Sequence, residues 1–346
     1  MIVPWTRPDV RIAVETPGLE SPGVDRKAPS ERSYRLVSGD KPVAVHAEAV
    51  ELLNRMTAQH AFTVIAHSTL RHFSSNAEAV RELDGEAIHQ MRVGLRRMRA
   101  AIVLFGAILP ASSTAKIKTE LKWLTGELAP AREIDVFVKE RIEPLSRASE
   151  PKRGIRAIEK RFSTRHRQAF VRARDALETP RYRKLRIDVL EWLEMRQPGA
   201  DAASDAPIEK FAGEAMHRRI RKARRQGRHL AELSAVERHK LRIKIKTIRY
   251  AVDFFRSLYP AQAQAGLERL SGQLKKIQDA LGALNDFIAH REIALDAALH
   301  APRGDRRAQA FVPDLLVGQE RGASKTLLKA ASRAMRHLRP HSVALD

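Results

Sequence analysis

At 346 residues the chain is long enough for one large domain or two ordinary ones, with a substantial buried core. Lys+Arg 63 against Asp+Glu 41 leaves a net charge of +22 and a pI of about 10.7, a field that calls for a polyanionic partner: nucleic acid, an anionic membrane or a phosphate polymer. Cysteine is absent, which excludes disulfides, thiolate metal sites and cysteine nucleophiles; with no long apolar run and no secretory leader, the expectation is a soluble cytoplasmic protein without a membrane span.

Residues 1–42 carry Pro4, Pro8, Pro17, Pro22, Pro29 and Pro42 without any period, and are expected to be a disordered arm. From Val43 onward apolar residues recur at helical spacing, and the remaining prolines are expected to punctuate helices. The spacing predicts helices over 43–73, 86–109, 115–129, 131–147, 152–178 and 181–196. A linker, QPGADAASDA at 197–206, precedes helices over 207–232, 235–258, 262–282, 284–299, 306–318 and 322–338. The fold class expected is all-α, with one domain over 43–340 built from halves 43–196 and 207–340.

The first helix places His60, His67 and Arg71 along one face. The second contains IHQMRVGLRRMRAAIVLF at 88–105, where His89, Arg92, Arg96 and Arg99 fall within an arc of about 80°. Ile88, Met91, Leu95, Met98, Ile102 and Phe105 form an apolar stripe beside them, and Val93, Ala100 and Leu104 lie on the other flank. Gln90 and Arg97 are left for solvent. A basic stripe with apolar material on both sides reads as the wall of a groove. Gly94 costs the helix roughly 1 kcal/mol relative to alanine and is expected to admit close approach of a neighbouring helix. Between 153 and 174, Arg153, Arg156, Lys160, Arg167 and Arg174 share another narrow arc, which is either a solvated face or a further part of the site.

The same pattern returns in the second half. His217, Arg221, Arg224 and Arg228 line one face of the helix after the linker, answering His60, His67 and Arg71. RHKLRIKIKTIRYAVDFF at 238–255 then repeats the stripe as His239, Arg242, Lys246 and Arg249, at a constant offset of 150 positions, with its apolar residues in register. Leu121, Leu124, Leu128 and Ala129 correspond likewise to Leu274, Ile277, Leu281 and Gly282. The chain reads as an internal duplication.

HxxRVxxRRxR at His89–Arg99, WLxxxL…ARExDV at Trp123–Val136, the basic helix His239–Tyr250 and LxxIQDxLGxLND at Leu274–Asp286 together resemble the CHAD domain, the conserved histidine α-helical domain. The resemblance implies two helical-bundle halves related by pseudo-twofold symmetry around a basic central cavity or pore. It also implies binding of inorganic polyphosphate there and, in some members, association with polyphosphate granules and their proteins. Glu133 in place of aspartate and Ala129 in place of glycine are mild departures. Many members carry a triphosphate-tunnel domain ahead of this one; its ExExK strand signature is absent, so a stand-alone module is expected.

The residues suit that polymer. Polyphosphate is thin and densely charged, and arginine offers a planar fork to two phosphate oxygens at once. Stripes at i, i+3, i+7 and i+10 place such groups along about 15 Å of helix. His89 and His239 are read as phosphate donors or as groups that position the helix. They lack the second ligand of a metal site or the orienting acid of a phosphotransfer histidine, and Asp135, Asp279 and Asp286 are read as orienting arginines or capping helices. No GxxxxGK[ST] loop is present. The expectation is a non-enzymatic polyphosphate-binding protein, without cofactor or metal, on polyphosphate granules in the cytoplasm. A phosphotransfer or phosphohydrolase enzyme, and more weakly a nucleic-acid-binding protein, remain alternatives.

Overall fold

The computed structural model describes residues 41–144, 153–194, 204–299 and 320–338. The expected N-terminal arm (to residue 40), most of the linker and the helix expected at 306–318 lie outside the described residues.

Among the described residues ten α-helices follow in order: α1 (Ala58–Ser75), α2 (Ala77–Arg81), α3 (Gly85–Leu104), α4 (Ala111–Phe137), α5 (Arg153–Glu178), α6 (Pro180–Glu194), α7 (Ile208–Gln226), α8 (Ala235–Phe255), α9 (Ala261–Leu299) and α10 (Glu320–His337). Among the described residues there is no strand, only an isolated bridge between Thr57 and Pro207. The two stripe-bearing helices start on side-chain caps. Asp84 accepts from the Ala87 N–H (2.6 Å), and Ser234 forms a reciprocal capping box with Glu237. The starts of α1 and α7 satisfy one another. The Ala58 N–H donates to the Ala206 carbonyl and the Ile208 N–H to the Met56 carbonyl, both at 2.9 Å, so amides that have no partner inside their own helices are paired.

Within the first half α3 packs on α1 and α4, and α4 on α5 and α6; in the second α8 packs on α7 and α9, and α9 on α10. Across the halves α3 meets α8 and α1 meets α7. One hydrophobic core runs through both. At its centre Phe105, at the end of α3, stacks on Phe211 of α7 with centroids 4.8 Å apart, and meets Phe255 of α8 at 6.0 Å and Phe62 of α1 at 5.4 Å. The described residues from 42 to 338 belong to one compact unit. Gly94 has the use expected of it. A Cβ there would lie 2.8 Å from both the backbone nitrogen and the Cβ of Phe73, so only glycine lets α1 come this close to α3.

Four expectations fail, each for a physical reason. Residues 43–57 are not helical. Val50 and Leu52 enter the core from an extended segment held by paired bonds: Asn76 bridges the N–H and carbonyl of Val45 (both 2.9 Å), and Ser257 those of Leu52 (2.8 and 3.2 Å). That segment covers the side of α3 assigned to solvent, so Gln90 and Arg97 are buried. Arg97 lies over the Phe254 ring (5.3 Å) and reaches toward the Glu48 carbonyl (3.5 Å). Pro130 does not end a helix but sits inside α4, where the carbonyl its ring crowds belongs to Gly126, beside open space. Finally, 262–299 is one helix, and Gly282 is not a break. The Arg242 guanidinium lies alongside it, 3.8 Å from where a Cβ would be, a distance of ordinary contact.

Candidate functional site: a basic cleft between α3 and α8

The packing of α3 on α8 brings the two stripes face to face. Arg92 and Arg96 from α3, and Arg242 and Lys246 from α8, are electrostatic neighbours of one another. The Arg92 guanidinium donates to the Thr125 carbonyl of α4 (3.1 Å), and the Arg96 Nε to the Tyr250 hydroxyl of α8 (3.4 Å). Buried apolar neighbours hold these groups in place: Met91, Leu95 and Met98 flank the first stripe, and Leu241, Ile245 and Ile248 the second.

On this partly desolvated wall, burial and mutual repulsion disfavour the charged forms of Lys246, Arg92 and Arg242. Burial, the Arg242 and Arg96 guanidiniums and then Arg92 push the Lys246 ammonium down to about 7, with Asp286 opposing. Arg92 is pushed down to about 10 by burial and by Arg96, against the pull of Glu133. Arg242 is lowered by burial first, with Asp286 opposing and Arg96 adding to the fall. Glu133 stands beside Arg92 and Asp286 beside Arg242, one carboxylate near the first arginine of each stripe. Burial in turn raises Glu133, while Arg92 lowers it. The carboxylates do not neutralise the wall.

Several donors there lack partners. The Nε of Arg92, the Nε of Arg242 and the Nδ1 of His89 are all buried and make no hydrogen bond. Burial and the nearby Arg132 hold His89 down to about 4, so it stands neutral in this surround. A buried donor without an acceptor costs on the order of 1–3 kcal/mol, and an acceptor-rich anion entering the cleft removes that cost.

The other sequence-predicted residues are placed as follows. His239 is exposed, with its Nδ1 2.9 Å from the Asn285 Oδ1, and Arg99 is exposed further along α3. Arg249 continues the α8 stripe beside Asp253. On α1 the side chains turn to other partners than the stripes: Arg71 pairs with Glu48 (3.6 Å), and His67 faces Glu194 at the end of α6. His60 is exposed at the start of that helix. Arg221 and Arg224 of α7 and Arg228 of the turn after it line a separate concavity, one turn and more beyond the exposed His217 of α7. Of the 153–174 arc, Lys160 and Arg167 are exposed and Arg174 pairs with its neighbour Asp175 (2.9 Å).

Two contributors were not singled out from the sequence. Arg132, next to His89, is held by buried Asp135 (3.1 Å), which also binds Lys139 and meets His166 at 3.5 Å. Tyr250 adds its hydroxyl to Arg96. Both stand inside quoted motifs, Arg132 in ARExDV and Tyr250 at the end of the second basic helix, and that position was the available signal.

The family model of the CHAD domain matches residues 64–295. Two curated relatives, both uncharacterized proteins of Mycobacterium tuberculosis (strains CDC 1551 and H37Rv), are 25% identical over 273 residues, covering 75% of this chain and 49% of their own length. The chain thus spans about half the length of the curated relatives it matches. Among solved structures, the crystal structure of the CHAD domain from the plant Ricinus communis superposes with a TM-score of 0.74 at 26% identity, covering 86% of this chain and 98% of that one. PptA from Streptomyces chartreusis shares the fold, with a TM-score of 0.60 at 18% identity over 81% of this chain and all of its own. With the matched region spanning α3, α4, α8 and α9 and every motif quoted above, the chain belongs to the CHAD domain family.

Proposed function

We propose that this protein binds inorganic polyphosphate without catalysis, in the cleft between α3 and α8. The observation that carries the reading is the convergence of Arg92, Arg96, Arg242 and Lys246 from both halves, with the Nε donors of Arg92 and Arg242 buried and unpartnered. The contacts of α3 with α8 and of α1 with α7 join counterpart helices, as a pseudo-twofold arrangement requires, and the cleft lies at their junction. Such a wall offers charge-assisted, forked hydrogen bonds to a chain of phosphates thin enough to pass between packed helices, whereas a DNA duplex demands a convex basic face. Family membership supports the same ligand, and association with polyphosphate granules follows from that ligand. None of the described helices is long and apolar enough to cross a membrane.

The test is a competition titration of long-chain polyphosphate against duplex DNA, repeated over a range of salt. Polyphosphate is expected to win, with log K falling linearly against log salt as counterions are released. A flat salt response overturns the electrostatic reading, and preference for the duplex overturns the ligand. Incubation of the pure protein with polyphosphate and Mg²⁺ is expected to release no phosphate; steady release makes it an enzyme.

A further inference from the structure

A second basic surface lies behind α8. Arg221, Lys222, Arg224 and Arg225 of α7, Arg228 of the turn that follows it and Arg336 of α10 surround a concavity of about 950 Å³. Among the described residues no carboxylate and no aromatic ring lines it, and none of these six side chains has a hydrogen-bond or ion-pair partner there. Its floor is built for close packing. Met335 rests on Gly227, where a Cβ would stand 2.3 Å from the methionine methyl, and this seats the end of α10, and so Arg336, over the α7 arginines.

Helix α8 separates this basin from the cleft. Lys246 faces Arg242, Arg96 and Arg92, whereas Lys244, roughly 200° around the same helix, faces Lys222, Arg225 and Lys240. One helix thus presents cations to anionic ligands on two opposite sides. The chemistry of the basin is again that of forked donors around a narrow space, and without an aromatic platform it offers no stacking to the bases of single-stranded nucleic acid.

We propose that the α7–α10 basin is a second polyphosphate-binding surface, and that with the α3/α8 cleft it lets one molecule bridge two polymer chains and condense them. The inference rests on the cleft reading above, and its test separates the two. Short-chain polyphosphate is titrated calorimetrically into the full chain and into two variants, Arg92→Glu with Arg96→Glu in the cleft and Arg221→Glu with Arg225→Glu in the basin. Circular dichroism establishes that each is folded. The parent is expected to take two chains and each variant one. With long-chain polyphosphate near charge equivalence, light scattering is expected to rise strongly for the parent and to stay at least tenfold lower for either variant. A basin variant that matches the parent in both readouts overturns the inference and leaves the cleft intact. A cleft variant that matches the parent, with binding lost from the basin variant, overturns the cleft reading and the bridging with it. Displacement of short polyphosphate from the cleft variant by duplex DNA at equal phosphate concentration overturns the ligand assigned to the basin.

Discussion

Helices α3 and α8 carry the same stripe in the same register, yet their backs differ. At the position where α3 has Gly94, α8 has Lys244. In the first half the glycine draws α1 into backbone contact at Phe73 and closes the rear of the helix. In the second half the lysine faces Lys222, Arg225 and Lys240, and the rear opens toward the α7 basin. The stripe faces of the two helices match, while the opposite face serves packing in α3 and carries charge in α8.

The largest effect that bears on this comparison concerns the shared face. With the basin disabled by Arg221→Glu and Arg225→Glu, reversing charge on α3 (Arg92→Glu, Arg96→Glu) or on α8 (Arg242→Glu, Lys246→Glu) should each lower polyphosphate affinity by about 100-fold or more, since repulsion then sits in one common path. Combining the two reversals should add little. If each single reversal instead halves the stoichiometry at unchanged affinity, the halves bind separately and the common cleft is wrong.

The opposite faces are compared through stability. Gly94→Ala forces a methyl into the Phe73 backbone and should cost about 1–3 kcal/mol in urea unfolding, even after the gain in helix propensity. Lys244→Ala removes a cation from among cations and should fall within about 0.5 kcal/mol of the parent or stabilise it. Equal costs at the two positions would remove the contrast.

The first half should also carry an acid sensitivity. His72 is held down to about 4 by burial and then by Arg97, and His89 to about 4 by burial and then by Arg132. The unfolded chain protonates both near pH 6.5, so folding stability is fully present above that pH and is lost as pH falls from 6.5 toward 4, by on the order of 1–2 kcal/mol for each. His89→Gln should flatten the decline measured by thermal melts; an unchanged decline would place the sensitivity elsewhere.

The smallest effect distinguishes the stripes themselves. Lys246 occupies the place that Arg96 holds in α3, and burial with its cationic neighbours pushes its ammonium down to about 7. Its neighbours in the cleft are Arg242, Arg96, Arg92 and Asp286. A bound polyanion favours the ammonium, so affinity should be constant below about pH 7 and fall above it, by at most tenfold per pH unit, with proton uptake on binding. Lys246→Arg should abolish the slope. A slope that survives the substitution assigns it to another group.

The cleft was largely legible because its determinants are periodic and local. His89 to Arg99 and His239 to Arg249 declare a helical stripe by spacing alone, and the apolar residues in between declare which sides are covered. The stripes on α1 and α7 had the same spacing and a different fate. Arg71 pairs with Glu48 and His67 faces Glu194, while Arg221 and Arg224 turn to a basin completed by Arg336, more than a hundred residues away. Spacing places side chains on a face but does not name the neighbour that the face will meet.

The sequence by itself determined the all-helical class and the register of the two basic helices. Each follows from the geometry of one helix or from a charge balance that no packing alters. Only the tertiary structure decided what those helices face. The segment 43–57 abandons its helical pattern because Asn76 and Ser257 pair its backbone and the core accepts Val50 and Leu52, and so Gln90 and Arg97 are buried. The helix containing Pro130 continues because the crowded carbonyl belongs to a glycine beside open space. The juxtaposition of Arg92 with Lys246, which sets the charge of the cleft, depends on a contact across some 150 residues, where non-local packing outweighs local propensity.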